Sequence, residues 1–252
     1  MSDSRARLNH RDFARQSMVG LLLAGVIFAA WLALHVFAVW RLDASTHPLA
    51  AFACLLGLTW LSVGLFIVAH DAMHGSLAPG WPRLNAAIGT LALWLYAGFS
   101  FKRVSVKHRL HHIAPGTDDD PDFHRSGPWS WYGAFMRRYF GWREGLIVTV
   151  ATVIYAMVLG PRWPYVAFWS APAILASLQL FWFGTYLPHR PGPAPFTDRH
   201  NARSSRMSEW TSLLTCFHFG GYHHEHHLSP GAPWWRLPAV RGKFQSPRDP
   251  VR

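Results

Sequence analysis

Cysteine is scarce in this chain of 252 residues: there are two, Cys54 and Cys216. Two thiols cannot build a disulfide framework, a four-cysteine zinc site or an all-thiolate iron–sulfur cluster. Charge is scarce as well, at 15% of residues, where a soluble domain carries about 25%. Acids are the rarer sign, 13 Asp and Glu against 24 Lys and Arg. The sequence also lacks a C-x-x-C-H haem attachment, a G-x-G-x-x-G turn after a strand and a phosphate-cradling G-x-x-x-x-G-K. Disorder is excluded in turn, because half of the residues are apolar, with 14 Trp and 17 Phe among them.

What is present is an alternation of apolar runs with polar, basic segments, and it explains a mean hydropathy of only +0.07. Ser17–Trp40, Pro48–Ala69, Gly145–Pro161 and Trp163–Pro188 contain no Asp, Glu, Lys or Arg. A helix of about 20 such residues crosses a hydrocarbon core of about 30 Å. The pattern predicts an all-α integral membrane protein with four transmembrane helices, forming a single domain over 1–252. The first run is too long for the apolar part of a signal peptide, so it stays as an anchor. Residues 1–16 are expected to be a cytoplasmic tail and 238–252 a flexible C-terminal tail.

Charge placement predicts the sidedness, because Lys and Arg remain on the cytoplasmic side. With four crossings and both termini in the cytoplasm, 22 of the 24 basic residues lie there; Arg41 and Arg162 are the exceptions. The expected location is therefore the inner, cytoplasmic membrane. Leu84–Phe101 is also uncharged, but its crossing would split the basic clusters, so it is expected to form an interfacial or re-entrant hairpin. Anionic lipid head groups account for the basic surface, and no nucleic-acid partner is expected.

Histidine carries the chemistry. Of 16, nine fall in three clusters: His70-Asp71-Ala72-Met73-His74, His108-Arg109-Leu110-His111-His112 and His223-His224-Glu225-His226-His227. On a helix, positions i, i+3 and i+4 share a face. His70 and His74, His108 with His111 and His112, and His223 with His226 and His227 thus present eight imidazoles. One zinc needs three or four ligands, so eight point to two metal ions. All three clusters must then lie on one side of the membrane, in a cytoplasmic His-rich helical cap. His10, His35, His47, His124 and His200 are isolated and are expected at the surface or in packing.

The pattern H-x3-H, H-x2-H-H, H-x2-H-H resembles the membrane fatty-acid desaturase/hydroxylase superfamily of non-haem di-iron enzymes. Phe66–Pro79, Ala114–Phe123, Cys216–Pro230, Trp182–Arg190 and Pro233–Leu237 are similar to the bacterial β-carotene ketolases, and the likeness runs from about Gln16 to Leu237. The resemblance implies two irons and adds His189, at the end of the fourth span, to the eight boxed ligands. It implies O2 as co-substrate and a keto group placed at C4 of a carotenoid β-ring by two successive hydroxylations and loss of water. β-Carotene would give echinenone and canthaxanthin, and zeaxanthin would give astaxanthin. The carotenoid would enter from the lipid phase, and electrons would come from an external donor, ferredoxin.

The acids near the boxes are expected to orient ligands, since a ligating imidazole usually gives its other nitrogen to a carboxylate or carbonyl. They are Asp71, Glu225 and, in the 118–122 run, Asp118 and Asp120; His218 is a further supporting residue. Phe66, Phe99, Trp182 and Phe183 are expected to line the substrate tunnel, with Phe217, Phe219 and Tyr222. A carotenoid 3-hydroxylase or a fatty-acid desaturase/hydroxylase would need the same boxes, so these alternatives stay open. A non-enzymatic metal-binding membrane protein should place its ligands within the spans. A zinc protease should show H-E-x-x-H, but Asp71 stands where Glu is needed.

Overall fold

The computed structural model describes residues 10–160 and 163–244, and among them it is all helix and loop, with no strand. The long helices are α1 (His10–Trp40), α2 (Pro48–Met73), α3 (Pro82–Ala97), α4 (Phe101–Ile113), α5 (Pro128–Tyr139), α6 (Trp142–Leu159) and α7 (Trp163–Phe181). A π-helical turn, Trp182–Tyr186, extends α7 into a short α8 (Leu187–His189). After a long loop come α9 (Glu209–Cys216), α10 (His223–Leu228) and α11 (Leu237–Phe244).

Proline sets several starts: Pro48, Pro82 and Pro128 open α2, α3 and α5, where a missing N–H costs nothing. α2 is the central helix and packs against α1, α3 and α7. Leu58, Val63, Leu65 and Ala69 on it are fully buried. Outward faces are apolar instead: Leu22, Val26 and Leu32 on α1, with Val153, Ile154 and Met157 on α6, are exposed. Contiguous exposed apolar surface on this scale suits lipid rather than water.

Three stretches are long and apolar enough to cross a bilayer, Asp12–Trp40, Pro48–Met73 and Ala167–His189. The third run of the sequence reading, α6, meets that standard only together with α5, from which it bends by 76°. α3 and α4 form a second such pair, bent by 99°. Their elbow is specified locally. Gly98 ends α3 with φ 68°, its N–H and that of Phe99 returning to the Trp94 and Leu93 carbonyls. Gly89 lets the Phe101 ring lie on α3, since a Cβ there would stand 2.2 Å from the ring.

The C-terminal end departs from expectation. The tail read as flexible from residue 238 is helical as far as Phe244, because Arg241 pairs with Glu225 at 2.6 Å and Leu237 is fully buried. Residues 245–252, like 1–9 and Arg162, lie outside the described residues.

His35 has a structural task. Pro172 lies inside α7 and has no N–H, so the carbonyl four residues earlier, that of Phe168, loses its helical partner. The His35 Nδ1–H donates to that carbonyl at 3.1 Å, and Tyr155 OH donates to Nε2 at 2.8 Å. His35→Leu strands the Phe168 carbonyl at a cost of about 1–3 kcal/mol. The variant is expected to melt several degrees earlier in detergent, by about the shift such a loss gives in a chain of this size. Bound metal per chain, measured on the same sample, should not change.

Candidate metal centre

Nine imidazoles converge beneath the helical bundle. α2 ends in the first box, so His70 and His74 project from its last turns. α4 carries His108, His111 and His112, and α10 carries His223, His226 and His227. His189 closes α8. Their nitrogens separate into two groups, each within 4.8 Å: His70, His74, His108, His112 and His226 in one, and His111, His189, His223 and His227 in the other. α4 and α10 each serve both groups: His108 and His112 go to the first and His111 to the second, while His223 and His227 go to the second and His226 to the first.

The spacing within each group is that of a coordination shell. Nε2 of His74 lies 2.8 Å from Nε2 of His108, and Nε2 of His226 lies 2.9 Å from that of His112. In the second group, Nε2 of His223 is 2.8 Å from that of His189 and 3.0 Å from that of His227. Lone pairs brought this close repel unless a proton or a cation sits among them. Nitrogens at about 2.1 Å from one ion and at right angles are about 3.0 Å apart, which is the separation seen. Burial first, and neighbouring imidazoles second, push His223, His226 and His227 well below the usual histidine range. Neutral rings keep their lone pairs free for a metal. The residues therefore fit two ions, and an all-imidazole set suits iron, zinc, copper or nickel.

Two ligands are held from behind. The His111 Nδ1–H meets both oxygens of Asp120 at 3.0 Å, and Asp120 also accepts from the backbone N–H groups of Gly116 and Asp122. The His189 Nδ1–H donates to the Asn201 carbonyl at 2.7 Å. Burial works to raise the Asp120 carboxyl, but the bond and charge of His111 and the Gly116 and Asp122 N–H groups together hold it below the usual range. Burial pushes the neighbouring Asp122 up to about 6; its Oδ1 accepts from Tyr139 OH, and its Oδ2 lies 3.9 Å from His111.

The third box is delivered by strain. Phe217 and His218 both sit in the left-handed region, at φ 45° and 71°. Their N–H groups close α9 by bonding to the Leu213 and Ser212 carbonyls, a turn usually given to glycine. Phe217 is held there by stacking on Trp60, with ring centroids 4.6 Å apart. Arg241 steadies the box from outside, bonding to Glu225 and the Gly221 carbonyl and lying over the Tyr222 ring.

A cavity opens against the nitrogens. His70, His108, His111 and His223 are among its polar lining residues, and Phe66, Phe99, Phe135, Leu180 and Phe219 among its apolar ones.

The fatty acid desaturase family model matches this chain over residues 44–146 and 136–246. The chain belongs to the fatty acid desaturase family. Beta-carotene ketolases from two strains of Paracoccus sp. are 66% and 63% identical to this desaturase-family chain. They cover 88% and 89% of it and 92% and 93% of their own lengths. A zeaxanthin 4-ketolase of Chlamydomonas reinhardtii is 35% identical over 90% of this chain and 54% of its own.

In this desaturase-family protein the residues singled out from the sequence take different places. The eight boxed histidines and His189 make up the two nitrogen groups, and Asp120 backs one of them. His218 belongs to neither group; it stacks on Trp234. Three acids lie elsewhere than expected. Asp71 accepts from the Trp234 backbone, and its closest approach to His70 is 3.8 Å, too long for a hydrogen bond. Glu225 is taken by Ser204 and Arg241. Asp118 is exposed and paired with Arg125.

Of the seven aromatics expected at the substrate, Phe66, Phe99 and Phe219 line the cavity. Phe217 packs on Trp60, Tyr222 lies under Arg241, Phe183 packs against Gly220, and Trp182 lies beside Tyr186 at the surface. Tyr96, Asp122, Phe135, Tyr139 and Thr185 line it without having been foreseen. Only for Asp122, within the acidic run, was there a signal in the sequence.

Asp120→Asn removes the carboxylate behind His111 and should weaken metal binding by about 10–100-fold. Metal retained after dialysis against a graded chelator measures this. Asp118→Asn, altered at the exposed pair with Arg125, should retain metal like the unmodified protein.

Proposed function

We propose that this chain is a carotenoid ketolase, an O2-dependent non-haem di-iron oxidoreductase that places keto groups at C4 and C4' of β-rings. The observation that carries the reading is the cavity. Four of the nine imidazoles line a mostly apolar, aromatic-walled space, which is what oxidation of a hydrocarbon ring requires. The beta-carotene ketolases at 63–66% identity favour a carotenoid over a fatty acyl chain.

His70, His74, His108, His112 and His226 would hold one iron, and His111, His189, His223 and His227 the other. When bound, the iron pair supplies the O2 reduction that oxidises an unactivated C–H bond. The chain's own residues do the rest. Phe66, Phe99 and Phe219 exclude water and bear on the flat ring, so that C4 faces the nitrogens and neighbouring carbons do not. Asp120 keeps the proton of His111 on Nδ1 and its lone pair on Nε2. Asn201 does the same for His189 through its carbonyl.

In this reading α1, α2, α6 and α7 cross the bilayer, and the α3–α4 elbow stays on the cytoplasmic side with the boxes and both termini. Substrate arrives from the lipid phase, between helices. Electrons come from a separate carrier, ferredoxin, at the cytoplasmic face of the inner membrane.

Expression in a bacterial host that accumulates β-carotene tests the reading. Echinenone and canthaxanthin are expected with the intact chain, and loss of both with His111→Ala at equal membrane abundance. Zeaxanthin as the product would move the oxidation to C3. Untouched β-carotene, with iron retained and ferredoxin supplied, would overturn the assignment.

A further inference from the structure

Four hydroxyl-bearing residues line the cavity: Tyr96, Tyr139, Ser177 and Thr185. Three have their protons committed. Tyr96 donates to the Ala173 carbonyl, Tyr139 to Asp122, and Ser177 to the Ile174 carbonyl while it also meets Tyr132 OH at 2.7 Å. Thr185 has no side-chain hydrogen-bond partner among the described residues, although it is only 7% exposed.

This is unusual within the same molecule. Thr59, Thr90, Thr149, Thr152 and Thr215 each return their hydroxyl to the carbonyl four residues earlier. Thr185 lies in the π-helical turn between α7 and α8, where the wider winding changes the direction of the side chain relative to a regular helix. Thr185 lines the same cavity as His70, His108, His111 and His223. A hydroxyl in a largely closed, mostly apolar cavity with no protein partner is free to receive a polar group.

We propose that Thr185 recognises a hydroxyl on the ring carbon next to the one oxidised, and so favours 3-hydroxylated rings over plain hydrocarbon rings. The inference rests on the ketolase reading above. C3 is bonded to C4, so a ring set with C4 towards the metals carries its 3-hydroxyl within reach of the same wall. A plain ring leaves Thr185 unpaired in a dry pocket. A 3-hydroxylated ring pairs it, and sites built around a hydrogen bond penalise the analogue that lacks it. A net neutral hydrogen bond corresponds to about fivefold.

The test is competition between zeaxanthin and β-carotene, supplied together to membranes holding the intact chain, Thr185→Val, Thr185→Ala or Thr185→Ser. The readout is the ratio of their ketolated products. Thr185→Val should lower the zeaxanthin share by about fivefold, Thr185→Ala should move it the same way, and Thr185→Ser should restore it. An unchanged ratio in Val and Ala would overturn the assignment. So would an unchanged ratio with 4-hydroxylated intermediates accumulating from both substrates, which would mean that Thr185 contacts the C4 oxygen. Conversion of neither carotenoid by the intact chain would instead overturn the ketolase reading, and this inference with it.

Discussion

Nine imidazoles whose nitrogens face one another beneath the helices form an arrangement that repels itself unless a proton or a cation sits among them. The rest of the structure follows from that constraint. The elements that carry the histidines must be gripped firmly enough to hold like groups together before any ion arrives. α2 meets the need by being the most enclosed helix, ringed by α1, α3 and α7. The α3–α4 elbow turns α4 beneath the bundle, so that its three histidines meet those of α2. α10 is brought in by two residues in the left-handed region and fixed by Arg241.

The same economy governs the polar groups among the apolar helices. Pro172 breaks the hydrogen-bond ladder of α7, and His35, on a different helix, supplies the missing donor. A buried histidine can therefore be a backbone partner or a metal ligand, and the surroundings decide which. His35 meets a carbonyl and a phenol, whereas His74, His112 and His223 meet only other imidazoles.

Much of this was readable beforehand because it is local. Helical spacing within the boxes is fixed by the backbone repeat, and the uncharged runs report the apolar helices directly. Other features needed the tertiary arrangement. Nothing in the HRLHH string says that His111 leaves His108 and His112 for the other group. Asp71 and Glu225 are next to ligating positions in sequence, but successive residues on a helix point about 100° apart, so both acids turn to the Trp234 backbone and to Arg241 instead. Asp120 reaches His111 because a loop, free of that rule, folds back over it. The cavity walls were hardest to foresee, since Phe135 and Thr185 come from helices with no box of their own.

The chain order of the ligands has a consequence for biosynthesis. A ribosome delivers His70 and His74 early, the α4 trio next, His189 much later and α10 close to the end. Until α10 emerges, the first group has four of its five nitrogens and the second has only two of its four. Gln16, near the start of α1, bonds to the Gly231 carbonyl and accepts from Arg236, so α1 also waits for the segment that follows α10. A nascent chain interrupted before α10 is thus left with one centre nearly complete and the other barely begun. Completing both nitrogen groups therefore waits on the synthesis of α10.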